Sequence, residues 1–275
     1  MFFKRILPLI LIILGSFLYG IFQGLEAISQ WDTLDNEAEE LFQAGKYDRA
    51  IEVAKKALEL AEKEFGPESP RMVVSLNSLG LLHFNRGEYE QAETLYKRAL
   101  KIGEKVFDPD DPGLATSLNN LAAVYFIQGA HAKAQPLYKR SLEIMEKTVG
   151  PDDPNVATCL NNLADSYLDQ ENFEKAEALY KRAFEIRKKV LDPGDPDLAS
   201  SLNSLGVLAY RRGAYDKAEK LYKRSLTMLE KALGPDHPLV AKVLDNLVAL
   251  YHETERSAEA KALEKRIGRI RSTRR

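Results

Sequence analysis

Apolar and polar positions alternate along this chain with the spacing of amphipathic helices. In one segment the apolar side chains fall at positions i, i+3, i+4 and i+7, namely Leu118, Leu121, Ala122 and Tyr125. A second segment, which begins at Tyr89, shows the same spacing of apolar residues. A stripe of this kind predicts a helix that buries one face and exposes the other.

The two helical segments recur together with a period of 42 residues. First-helix copies read SLNSLGLLHFNRG at 75–87, SLNNLAAVYFIQG at 117–129, CLNNLADSYLDQE at 159–171 and SLNSLGVLAYRRG at 201–213, with a weaker copy at 243–255. Second-helix copies include YEQAETLYKRALKI from Tyr89 and YDKAEKLYKRSLTM from Tyr215. A single pair cannot bury its apolar stripe alone, so the pairs are predicted to stack, each repeat contacting only its neighbours.

Proline-containing loops separate the repeats: GPESP at 66–70, DPDDP at 108–112, GPDDP at 150–154, DPGDP at 192–196 and GPDHP at 234–238. The second proline of each loop suits the first turn of a helix, and the Ser or Asp before it suits an N-cap. The acidic loops lack the spaced ligands and terminal glutamate of a calcium loop. We therefore predict capping at these loops, with no metal and no cofactor.

Small residues occupy fixed places in both helices. Gly80, Ala122, Ala164 and Gly206 lie in the first helix, and the second helix carries Ala50, Ala92, Ala134, Ala176, Ala218 and Ala260. This pattern resembles the tetratricopeptide repeat, lengthened to 42 residues. The resemblance implies an all-α fold, a right-handed α-solenoid of about six helix pairs. We predict the solenoid over 31–271, with repeats near 33–65, 70–107, 112–149, 154–191, 196–233 and 238–271, and a basic tail at 272–275.

The LNNLA motifs at 118–122 and 160–164, the LYKRAL motif at 95–100 and the GPDDP-type loops are similar to those of kinesin light chains. Repeats of that family use asparagines of the LNN motif to hold the backbone of an extended peptide in a concave groove formed by the first helices. The resemblance therefore implies a peptide-binding groove with the candidate residues Asn77, Asn119, Asn120, Asn161, Asn162, Asn203 and Asn246. That family's coiled coil for motor binding has no counterpart here, where a hydrophobic segment stands instead.

Asparagine is a mediocre helix former, so a ladder of asparagines within helices requires compensation. An amide donates and accepts hydrogen bonds at once, which suits a peptide backbone whatever its side chains. The same amides could equally join adjacent repeats by bonding to carbonyl groups. Both interpretations stay open from the sequence.

The first thirty residues differ from the repeats. Lys4 and Arg5 precede an uncharged, mostly apolar run of 17 residues, Ile6 to Phe22, or roughly 25 Å as a helix. The run is longer than the apolar core of most cleaved signals, and the best cleavage position, after Ala27, is poor. We expect residues 1–30 to form an N-terminal signal-anchor helix, with residues 4–28 in the membrane and the repeats on its non-cytoplasmic side. Cleavage of a signal peptide and release as a secreted or periplasmic protein is the alternative.

The remaining composition changes this picture little. A net charge of −2 gives no reason to expect nucleic acid as a partner. The Lys-Arg pairs of the second helices, at 97–98, 139–140, 181–182 and 223–224, are interpreted as a solvated outer face, and Cys159 as a packed thiol. The four histidines lack metal-ligand spacing, and no catalytic motif is present. We predict a non-enzymatic scaffold that binds a peptide or protein partner in the groove. The alternative is a structural protein that self-associates through the solenoid.

Overall fold

The structure is a computed structural model that describes residues 30–272, and every regular element in that part of the chain is a helix. The described residues divide between Gly129 and Ala130 into two compact units. The first unit contains α1 (30–43), α2 (Tyr47–Phe65), α3 (Pro70–Asn85), α4 (Tyr89–Val106) and α5 (Pro112–Ile127). The second contains α6 (His131–Val149), α7 (Pro154–Asp169), α8 (Phe173–Val190), α9 (Pro196–Arg211), α10 (Tyr215–Leu233), α11 (Pro238–Glu253) and α12 (Ser257–Ser272).

Within each unit, consecutive helices pack against one another, α2 to α5 in the first and α6 to α12 in the second. First helices also approach the next first helix, as α3 does to α5, α7 to α9 and α9 to α11. This is the predicted stacking of helix pairs, an all-helical tetratricopeptide arrangement.

The predicted anchor helix lies outside the described residues. None of the helices between residues 30 and 272 is both long and apolar enough to cross a membrane.

The proline loops cap the first helices, as predicted. Each first helix from α3 to α11 carries its proline at the first turn, and the preceding side chain accepts a hydrogen bond from the backbone two or three residues later. The Asp195 carboxylate, for example, accepts from the Asp197 amide at 2.7 Å. His237 performs the same role in α11, its Nδ1 accepting from the Leu239 amide at 3.2 Å.

Small residues allow the close helix contacts of each core. All six alanines of the second-helix slot, Ala50 to Ala260, are fully buried. A Cβ atom added to Gly80 would lie 2.5 Å from the ring of Tyr96, and one added to Gly206 would lie 2.6 Å from the ring of Tyr222. Glycine therefore makes room for a buried tyrosine of the partner helix in these two pairs.

The turn inside a pair uses left-handed backbone. Gly87 and Gly213 adopt φ values of 77° and 74°, which glycine tolerates without steric cost. Glu171 occupies the turn between α7 and α8 with φ 58°, a conformation that costs a residue with a side chain about 1–2 kcal/mol.

Candidate functional site

The exposed side of the first helices in the first unit is largely uncharged. We define the first-helix face as the outward stripe of each first helix, at every third or fourth residue. In α3 and α5 this stripe includes Val74 (39% exposed), Leu81, Ala123 and Ile127 (48% exposed), together with the amide Asn120. Large apolar side chains exposed on one face are typical of interaction sites.

In the second unit the first-helix face is charged. Asp165 and Asp169 lie on α7, Arg211 on α9 and Lys242 on α11. Asp169 accepts from His131 at 3.0 Å and lies 3.9 Å from the Arg211 guanidinium. Asp165 accepts a hydrogen bond from the Tyr180 hydroxyl; burial raises its pKa, while Tyr180 and the charge of Lys242 oppose that rise.

The predicted asparagines fall into two sets. The first residue of each motif, at Asn77, Asn119, Asn161 and Asn203, lies beside the core, and Asn203 is 8% exposed. Positions 120, 162 and 246, one residue further along, are half-buried. Asn120 and Asn162 lie on the outward stripe, between a threonine four residues earlier and the residue three positions later. Contact with a peptide stays a prediction for all seven.

Hydrogen bonds join repeats at two of these positions. The Asn77 amide donates to Ser117 Oγ at 2.8 Å, and Asn246 donates to Asn203 Oδ1 at 2.8 Å. The amide oxygens of Asn77 and Asn161 are buried and accept no hydrogen bond from residues 30–272. An inter-repeat role is therefore present at Asn77, Asn203 and Asn246.

The asparagine slot extends to the terminal repeats, which the sequence reasoning missed. Asp35 and Asp245 stand 42 residues before Asn77 and after Asn203, in the LDN sequences at 34–36 and 244–246. Ser78 Oγ donates to Asp35 at 3.3 Å, which is the same 43-residue link as Asn246 to Asn203. The 42-residue period alone would have found both positions.

The second helices pair their charges internally. Lys97, Lys181 and Lys223 each lie within 2.8 Å of a glutamate four residues earlier, at Glu93, Glu177 and Glu219. Arg98 and Arg182 reach back to acidic residues of the preceding second helix, at Glu62 and Glu146. Hydrogen bonds from Arg256 and Lys223 lower the pKa of Glu219 to about 2. The basic ladder is thus a network of ion pairs along the second helices.

Two polar residues are buried in the second unit without forming a site. Cys159 packs beside Ser141, and burial raises the pKa of its thiol, which disfavours the reactive thiolate. Arg187 is 5% exposed and donates to the hydroxyls of Ser201 and Thr158 at 2.8 and 3.0 Å. The equivalent position holds Ala61, Gly103, Met145 or Leu229 in other repeats. No group of three or more His, Cys, Asp or Glu residues suited to a metal occurs within 30–272.

The family model for the tetratricopeptide repeat matches residues 32–105, 72–147, 113–189 and 197–271, which together span most of the chain. The protein therefore belongs to the tetratricopeptide repeat family. No curated protein matches the chain.

Solved structures show the same fold. BtubC (BKLC) from P. vanneervenii is 27% identical, with a TM-score of 0.61 over 84% of this chain and 90% of that protein. A putative kinesin light chain from Podospora anserina, with nearly identical TPR-like repeats, is 21% identical, with a TM-score of 0.61 over 74% of this chain and 96% of that one. A Rap protein in complex with Competence and Sporulation Factor is 17% identical, with a TM-score of 0.68 over 91% and 78%. The resemblance to kinesin light chain repeats is confirmed.

Proposed function

We propose that this protein is a non-enzymatic scaffold that binds an extended peptide segment of a partner protein on its first-helix faces. The observation that carries this proposal is the contrast between the two sides of the first unit. Second-helix charges pair with one another, whereas the first-helix face exposes Val74 and Ile127 beside the amide Asn120. Apolar anchors beside amides suit an extended peptide, whose backbone needs hydrogen bonds and whose side chains need apolar contact.

The binding experiment uses the full chain in mild detergent and a random dodecapeptide display library as the probe. Selected peptides are synthesised and titrated against the wild-type chain and a variant with Val74→Asp and Ile127→Asp. We expect the double variant to bind about tenfold or more weakly, because two apolar contacts are replaced by charges that must be desolvated.

Val190→Asp provides the matched control. Val190 ends α8, a second helix, and is 45% exposed. The same substitution there should leave peptide affinity unchanged. Equal losses in both variants, or a library that yields no binding peptide, would overturn the proposed function. Concentration-dependent assembly in sedimentation, abolished by the double variant, would favour the alternative of self-association through this face.

We further propose that the repeats are displayed from a membrane or exported across it, on the strength of the apolar run at 6–22 after Lys4 and Arg5. Full-length protein should stay with membranes through high-salt and carbonate washing. Amino-terminal sequencing that finds mature protein beginning near Ile28 would disprove the anchor and leave export intact.

A further inference from the structure

A pocket opens on the first-helix face of the first unit, between α1 and α3. Its volume is about 170 Å³. Apolar side chains from both helices line part of it: Ala38, Phe42, Leu81 and Leu82. Asp35, Asn36, Glu39 and Ser78 supply the rest of the lining. The pocket thus combines an apolar surface with two carboxylates.

The Asp35 carboxylate is half-buried, and no lysine or arginine within residues 30–272 forms an ion pair with it. Burial raises its pKa above the ordinary value, and the nearby carboxylates of Glu39 and Asp32 raise it further. The hydrogen bond from Ser78 and the more distant charge of Arg71 oppose these effects. Arg71 itself is held at 3.1 Å by Asp32. A cation brought into the pocket would offset both the burial of the Asp35 charge and the repulsion from Glu39.

The charge of Asp35 is not required for the link between repeats. Asp35 occupies the slot that holds asparagine in the next four repeats, and Asn203 accepts the equivalent hydrogen bond as a neutral amide. An asparagine at position 35 could accept from Ser78 in the same way. The negative charge at this slot therefore calls for another partner.

We propose that this pocket binds a lysine or arginine side chain of the peptide held on the first-helix face. The aliphatic stem lies against Phe42 and Leu81, and the cationic end meets the carboxylates of Asp35 and Glu39. Long basic side chains carry an apolar stem and a charged end, and so match a lining of this kind. The inference rests on the proposed function, because it names the specificity of one position on the same face.

The test repeats the dodecapeptide selection with the full chain, the variant Asp35→Asn/Glu39→Gln, and the control Glu40→Gln. Glu40 is exposed on α1 outside the pocket, so its substitution removes a charge from the same helix without altering the lining. We expect lysine or arginine to be enriched at one peptide position with the wild type and the control. The pocket variant should still select peptides but lose that enrichment.

A second measurement isolates the charge. The selected peptide and its analogue with norleucine at the enriched position, which keeps an aliphatic stem without the charge, are titrated against each chain. The analogue should bind wild type about tenfold more weakly, the effect of one charge-assisted hydrogen bond, and bind the pocket variant as well as the parent peptide does.

The outcomes separate the two proposals. Peptides selected without basic enrichment, or with enrichment that survives in the pocket variant, would refute the pocket while leaving the scaffold function in place. A library that yields no peptide with any chain would refute both. Thermal melts of each variant check folding, and the isosteric substitutions keep the hydrogen bond from Ser78.

Discussion

The first-helix faces of the two units differ while their cores are alike. In the first unit the face exposes Val74 and Ile127, and its charged side chains concentrate at α1. In the second unit the corresponding helices carry Asp165, Asp169, Arg211 and Lys242. Positions equivalent to Asp165 hold Leu81, Ala123, Val207 and Ala249 in other repeats. A few outward slots therefore give each unit its own surface on one shared scaffold.

The cores show how little of the repeat is free to change. The tyrosine of each second helix from α4 to α10 is almost completely buried, and the second-helix alanines are inaccessible in both units. The exception is Arg187, a buried cation in a slot that is small or apolar in other repeats. The comparison teaches that the repeat tolerates polar variation at outward slots and rarely at inward ones. The following predictions are arranged to test that rule.

The largest effect is expected from overpacking the alanine slot. Ala176→Leu in the second unit should lower the free energy of unfolding by roughly 1–3 kcal/mol, because the added atoms have no space between α7 and α8. Ala92→Leu should do the same in the first unit. Denaturant melts measure both. An unchanged midpoint for either variant would show that the cores of the two units are packed differently.

The buried cation of the second unit should be replaceable at a gain. Arg187→Met introduces the residue found at Met145 and should raise stability by about 1–2 kcal/mol, since desolvation of the guanidinium is no longer needed. Arg182→Met, on the exposed side of the same helix, serves as the control and should change stability by less than about 0.5 kcal/mol. Thermal melts that show Arg187→Met to be clearly destabilising would mean that its bonds to Ser201 and Thr158 outweigh its burial.

The asparagine ladder should separate into structural and exposed members. Asn203→Ala removes the acceptor of the Asn246 bond and should cost about 0.5–1.5 kcal/mol. Asn120→Ala, on the outward stripe of the first unit, should be neutral or slightly stabilising because alanine is the better helix former. Melting midpoints without any ligand decide the matter. A clear loss at Asn120 would extend the inter-repeat role to the second asparagine and remove it as a candidate contact.

The smallest effect concerns the turn between α7 and α8. Glu171→Gly should stabilise the protein by roughly 0.5–1 kcal/mol, because glycine adopts its φ of 58° without steric cost. Gly87→Ala, at the equivalent turn of the first unit, should destabilise the protein by a similar amount. Denaturant midpoints that move in the same direction for both variants would contradict the shared turn geometry.

Much of this architecture could be predicted from the pattern of residues. Helix periodicity, the 42-residue repeat, proline with a capping residue, and alanine or glycine at close contacts each act locally, so each leaves a readable trace in sequence. The helices, their caps and their small-residue contacts followed. The candidate site was predicted less completely. All seven asparagines lie where first helices approach one another or face outward, yet the sequence left groove contact and inter-repeat bonding equally open.

The sequence by itself determined the repeat unit, because 3.6-residue periodicity and turn chemistry depend on neighbours along the chain. It also determined membership of the tetratricopeptide repeat family. Only the tertiary structure decided which polar atoms meet across repeats. Asn203 bonds to Asn246 while Asp35 bonds to Ser78, and Asp35 lines a pocket with Phe42 and Leu81. Such contacts depend on the distance and rotation between helices some 40 residues apart, to which a hydrogen bond is sensitive within tenths of an ångström. Periodicity specifies the facing direction of a side chain and leaves that distance to packing.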